Sequence, residues 1–174
     1  MELILEGKSC GFSWSAAHLL PGHYKCSRMH GHNYVLDLHL KSMILEHGMI
    51  VDFVEIKKDI REFIEKYDHK LFLPSNATNL ELIEKDEYIE INYKLTNEEL
   101  DQKTAIKKIN NQYTNKSYLI PKMDISILPV TYTTVEKIGE YFKREIINYF
   151  ISKWKFLGTI NIILYEDDGQ GVRI

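Results

Sequence analysis

Residues 12–42, FSWSAAHLLPGHYKCSRMHGHNYVLDLHLKS, decide how the rest of the chain is read. Toward its end Tyr34, Leu36, Leu38 and Leu40 alternate with Asp37, His39 and Lys41, the period of two that turns one face of a strand inward and the other to water. Residues 2–12, leading into the aromatic FSW of 12–14, read as a partner strand. The two make an antiparallel hairpin whose connection carries PGHYKCSRMHG, and a polar loop of His, Cys and Gly between strands is where function concentrates.

Beyond Gly48 the period changes. Asp52 and Glu55 form a capping box, and Phe53, Ile56, Ile60, Phe63, Ile64 and Tyr67 recur at helical spacing, which predicts a helix over 54–66. Thr133 and Glu136 form a second box, with Val135, Ile138, Phe142, Ile146, Tyr149 and Phe150 as the stripe of a helix running to about Lys153. TINIILYE, 159–166, is a strand rich in β-branched residues, and Gly169 to Gly171 turn it into a short last strand. Between the helices, EYIEINYKL and KSYLIPKMDISIL have strand character around a Lys/Asn/Gln-rich piece that reads as a turn or short helix. An inserted hairpin-like segment at about 79–127 is expected. The whole is one α+β domain over 1–174, an antiparallel sheet carrying helices.

The 174 residues include 22 Lys and Arg against 25 Asp and Glu, a formal net charge of −3 with 44% hydrophobic residues. That balance supplies no field for nucleic acid, and no apolar run approaches the roughly 18 residues of a membrane span. Glu6 and Lys8 interrupt the start before a secretory core forms, so a soluble cytoplasmic protein is expected. Two cysteines, Cys10 and Cys26, are too few for a disulfide scaffold. Cys10, in a strand, reads as buried and inert.

Four of the seven histidines, His18, His23, His30 and His32, fall in the first 32 residues. His30 and His32 flank Gly31 at the start of a strand, so both imidazoles point to one face, and the hairpin brings His18 opposite them. Three neutral imidazoles with an open fourth position suit catalytic zinc; two surface histidines and one core histidine would also satisfy the pattern. Cys26, beside Lys25 and Arg28, is either a thiolate general base or a fourth zinc ligand that closes the site. Asp68 and His69 follow the first helix and, by themselves, read equally as a helix-end turn. Glu166, at the end of an apolar strand, needs solvent or a cationic or N–H-rich partner, such as the edge of a guanidine-like heterocycle.

FSWSAAH, CSRMHGHNY, GMIVDF, YDHK, TTVE and LYE, in this order and at comparable spacing, resemble the 6-pyruvoyl-tetrahydropterin synthase and 6-carboxy-tetrahydropterin synthase family over residues 4–75 and 128–173. The resemblance implies a T-fold, a four-stranded antiparallel sheet with two helices on one face, assembled as a homo-oligomer with active sites at subunit interfaces. It implies zinc on His18, His30 and His32, polarising a pterin side chain, and Cys26 as the base that removes a side-chain proton. His69 would relay protons with Asp68 orienting it, Glu166 would anchor the pterin's amino-pyrimidinone edge, and Thr134 and Glu136 would line the pterin pocket. The three residues SRM between Cys26 and His30 resemble the 6-carboxy branch, which serves 7-deazaguanine and queuosine-type pathways. Met29 stands where a glutamate-based, aldolase-like branch places its carboxylate. The implied reaction converts 7,8-dihydroneopterin triphosphate to 6-carboxy-5,6,7,8-tetrahydropterin with loss of acetaldehyde and triphosphate, and Lys25, Arg28 and Lys70 are candidates for the triphosphate. A 6-pyruvoyl synthase or related pterin side-chain lyase is the alternative. A non-catalytic reading also stands: a closed zinc site stabilising a binding module whose insertion meets a protein partner. The insertion and the short loop from His18 to Cys26 depart from the smaller family members.

Overall fold

The computed structural model describes residues 1–23, 25–93 and 116–174. The elements in chain order are β1 (Glu2–Leu5), α1 (Gly7–Cys10), β2 (Ser13–His18), β3 (His30–Lys41), α2 (Phe53–Glu65), β4 (Lys70–Pro74) and β5 (Leu80–Glu84). There follow β6 (Tyr88–Tyr93), β7 (Ser117–Pro121), a 3₁₀ turn (Lys122–Asp124), β8 (Ile125–Leu128), α3 (Val135–Trp154), β9 (Thr159–Glu166) and β10 (Gly171–Arg173). The chain divides into two units, one of residues 1–16, 32–69 and 135–174, the other of 17–31 and 70–134.

In the first unit β3 pairs antiparallel with β9 from Tyr34↔Glu166 to Lys41↔Thr159, and β10 closes on β9. β1 and β2 lie along the other edge of β3, with Leu5 opposite Leu38. The strand expected over 2–12 is therefore two strands, broken by α1. The break is built on glycine: Gly11 takes φ 72°, and a Cβ on Gly7 would lie 2.5 Å from the Leu36 carbonyl oxygen. Asp37 secures it by accepting the Gly7 N–H at 2.7 Å.

The alternation in β3 holds. Tyr34, Leu36, Leu38 and Leu40 are fully buried, across from Leu164, Ile162 and Ile160. Both long helices cover this face, because Phe142 of α3 packs against Trp14 of β2 at 5.6 Å, against Phe63 of α2 at 5.4 Å and against Tyr67, just past the end of α2, at 4.6 Å. Asp52 caps α2 by accepting from the Val54 and Glu55 N–H groups. Ile56, Ile60 and Ile64 are buried as the stripe requires, whereas Phe53, first in the helix, is exposed. Asp59, 1% exposed, ties the helices together by accepting from Lys153 and from the Trp154 indole. Burial opposes its charge, but those hydrogen bonds outweigh burial and hold the carboxyl below its ordinary range.

The second unit adds what the sequence did not. β4 and β8 pair in parallel, Leu71↔Ile125 to Pro74↔Leu128, and no strand was expected over 70–74. KSYLIPKMDISIL is not one strand: the 3₁₀ turn after Pro121 divides it, sending β7 to β6 and β8 to β4. The segment expected to be an inserted hairpin is more than a hairpin, since β5 joins β6 and β7 in a three-stranded antiparallel sheet. Leu19, Leu71, Leu73, Leu80, Ile89 and Ile91 form its core. The Lys/Asn/Gln-rich piece lies outside the described residues. No helix among the described residues is long and apolar enough to cross a membrane.

Candidate active site

His18 closes β2, while His30 and His32 open β3 on either side of Gly31. One ring nitrogen from each lies within 4.8 Å of the others, and the His18 and His30 rings are 4.4 Å apart. Each Nδ1 meets an oxygen: His18 the Thr133 carbonyl at 2.6 Å, His30 the Arg28 carbonyl at 2.7 Å, and His32 an Asp167 carboxylate oxygen at 2.6 Å. Carbonyls and carboxylates only accept, so the proton sits on Nδ1 and the lone pair on Nε2 in all three neutral rings. Three imidazoles fixed in that tautomer by outer partners fit a metal ion held through Nε2.

Glu166 ends β9 directly across from Tyr34, and the Tyr34 hydroxyl donates to Oε1 at 3.0 Å. Burial, followed by the charge of Glu166, pushes the Tyr34 phenol far above its ordinary range, so it stays a donor. The same Glu166 oxygen is 3.9 Å from His32 Nε2, beyond hydrogen-bonding reach.

Asp68 and His69 are in contact with each other. Asp68 Oδ1 accepts the Ser15 N–H at 2.9 Å, Oδ2 lies 2.9 Å from His69 Nδ1, and the His69 N–H donates to the Ser15 carbonyl at 2.7 Å. His69 takes φ 56°, a left-handed turn that lets a side chain fold back on its neighbour, and its ring is 82% exposed. Asp68, His69, Ser15, Asn33 and Asp167 line a depression of about 780 Å³, within the size range of small-molecule sites.

Cys26 is a free, half-buried thiol in the loop between β2 and β3. Its N–H donates to His23 Nδ1 at 3.2 Å and its carbonyl accepts from Leu20 at 2.6 Å. Cys10 is buried, as expected.

Residues 9–174 match the family model for 6-pyruvoyl tetrahydropterin synthase. The chain belongs to that family. A Methanocaldococcus jannaschii protein provisionally named 6-carboxy-5,6,7,8-tetrahydropterin synthase is 34% identical over 98% of this chain and 94% of its own length. The 6-carboxy-5,6,7,8-tetrahydropterin synthase of Haemophilus influenzae is 36% identical over 33% of this chain and 45% of its own. The crystal structure of Plasmodium vivax 6-pyruvoyl tetrahydropterin synthase superposes with a TM-score of 0.76 at 24% identity, covering 100% of this chain and 96% of that one. The fold is thus the T-fold of the tetrahydropterin synthases, and the chain is an enzyme of that family.

Thr133 does not cap α3: the helix starts at Val135, and the Thr133 hydroxyl instead donates to the Leu19 carbonyl while its own carbonyl holds His18. Thr134 is half-buried just before the helix and Glu136 is exposed in its first turn. Lys25 and Arg28 are exposed on the loop, and the Lys70 ammonium is engaged by the Met123 carbonyl.

Asp167 was missed. It sits at φ 68° just past β9, and while Oδ2 holds His32 its Oδ1 accepts the Asn33 N–H at 3.1 Å. The hydrogen bond from His32, against some desolvation, holds its carboxyl below the ordinary range. The available signal was an acidic residue in the turn next to the strand that pairs with the histidine strand. Replacing Asp167 by alanine is expected to weaken metal binding by about 10- to 100-fold, measured by competition with a chromophoric chelator.

Proposed function

We propose that this chain converts 7,8-dihydroneopterin triphosphate to 6-carboxy-5,6,7,8-tetrahydropterin, releasing acetaldehyde and triphosphate, in a 7-deazaguanine or queuosine-type pathway. The observation that carries this reading is the set of three imidazoles whose Nδ1 atoms are all held by oxygen acceptors, leaving three Nε2 donors for one metal. His18, His30 and His32 would hold zinc, which when bound would supply Lewis-acid polarisation of the substrate's side-chain oxygens. The name of a relative 34% identical over 98% of this chain supports the 6-carboxy product over the pyruvoyl one.

Cys26 takes a proton from the substrate side chain. His69 passes protons, with Asp68 fixing its Nδ1 and so presenting Nε2. Glu166 holds the amino-pyrimidinone edge, and Tyr34 occupies one of its oxygens so that the carboxylate keeps one orientation. Thr134 and Glu136 line the pocket. The enzyme works as a cytoplasmic homo-oligomer with sites at subunit interfaces.

Measuring zinc per chain and following acetaldehyde and the pterin product tests the assignment; zinc without turnover of the dihydropterin overturns it. Glu166→Gln is expected to lower kcat/KM by about 10- to 100-fold, matching the ~1.5–3 kcal/mol of a hydrogen bond to a charged group, with zinc content unchanged.

A further inference from the structure

Three successive carbonyls lead from Cys26 toward His30, and each is held. The Cys26 carbonyl accepts from the Leu20 N–H, the Ser27 carbonyl from the Tyr93 hydroxyl, and the Arg28 carbonyl from His30 Nδ1. The first and third contacts arise within the loop and its adjoining strand. The middle one comes from the last residue of β6, in the inserted sheet.

Tyr93 is 7% exposed, and burial pushes its phenol above the ordinary range, so it remains a neutral donor. At the other end of the loop Asn79, 5% exposed, donates from Nδ2 to the Pro21 carbonyl at 3.1 Å. Just before the loop Leu19 is packed into the apolar cluster of Leu80, Ile89 and Ile91. An insertion that merely filled space would bury apolar side chains alone, because a phenol or carboxamide buried at these places costs free energy unless it is hydrogen-bonded. Here the Tyr93 hydroxyl and the Asn79 Nδ2 are spent on carbonyls of the loop that carries Cys26, while Asn79 Oδ1 is buried without a hydrogen-bond partner.

We propose that the inserted sheet β5-β6-β7 is a platform that fixes the conformation of the Cys26 loop, with Tyr93 and Asn79 as its positioning residues. The catalytic consequence rests on the assignment of Cys26 as the base. The platform sets where the thiol stands relative to the substrate, so its loss lowers turnover rather than substrate binding.

The test uses the full chain with zinc bound, comparing wild type, Tyr93→Phe and Tyr88→Phe. Tyr88 lies on the same strand with its side chain exposed and serves as the control. Alkylation of Cys26 by iodoacetamide, located by mass spectrometry, is read beside kcat, KM and zinc content. Tyr93→Phe is expected to alkylate several-fold faster and to lose about 10-fold or more in kcat, with KM within about twofold and zinc retained. Tyr88→Phe should match wild type. An alkylation rate equal to that of Tyr88→Phe overturns the platform whatever the turnover. Full activity in Cys26→Ala overturns the base assignment instead, and the alkylation result then still decides the platform. Should Tyr93→Phe not fold, Asn79→Ala, which releases Pro21, carries the same comparison.

Discussion

Cys26→Ala is expected to retain zinc and fold while losing about 10²- to 10⁴-fold in product formation, the range over which positioned general bases act. The substitution removes only Sγ. The backbone contacts of residue 26, to His23 and Leu20, are made by its N–H and carbonyl and are available to an alanine. The Nδ1 atoms of the three histidines are held by the Thr133 and Arg28 carbonyls and the Asp167 carboxylate, contacts that the substitution leaves in place. Two readouts separate the competing readings of this thiol. Metal retained with activity lost identifies a base; metal lost identifies a fourth ligand, closes the site, and favours the non-catalytic zinc module.

The parts of this fold that were legible in the sequence are those in which a local pattern carries the information. The alternation of Tyr34 to Leu40 and the Asp52 cap are set by residues within a few positions of one another, and the structure follows them. What failed was non-local. The parallel pairing of β4 with β8 joins residues some fifty positions apart, and LFLP is too short and too uniformly apolar to announce a strand. KSYLIPKMDISIL reads as continuous because nothing local says that Pro121 ends one pairing and begins another. The helix expected to be capped by Thr133 starts later because that side chain and carbonyl are recruited by Leu19 and His18.

The site divides the same way. His-x-His across a glycine is a local signal, and the Asp68–His69 contact is one turn of backbone. The outer partners of the imidazoles are two carbonyls and the carboxylate of Asp167, 135 positions from His32. A backbone carbonyl has no letter in a sequence, and an acidic residue in a turn resembles any other solvated charge. That is why the candidate ligands could be named while the groups that fix their tautomers could not.

His30→Ala is the second large effect, and it discriminates catalytic from structural metal. It removes one of three Nε2 donors, so zinc affinity should fall by more than the ~10- to 100-fold that losing an outer partner costs, and turnover should fall to background. The fold should remain. The apolar core is supplied by Tyr34, Leu36, Leu38 and Leu40 against α2 and α3, and His30 is only half-buried at the strand's first position. Wild type with metal is stabilised by that binding alone, so the comparison belongs between the two metal-free proteins. Their unfolding free energies, from urea titration followed by circular dichroism, are expected to agree within about 1 kcal/mol, the scale of a substitution that opens no core cavity. A metal-free variant without a cooperative transition, beside a metal-free wild type that has one, would count against the open site. If both metal-free proteins are unfolded, zinc is part of the fold and its role is structural, the outcome a closed site predicts.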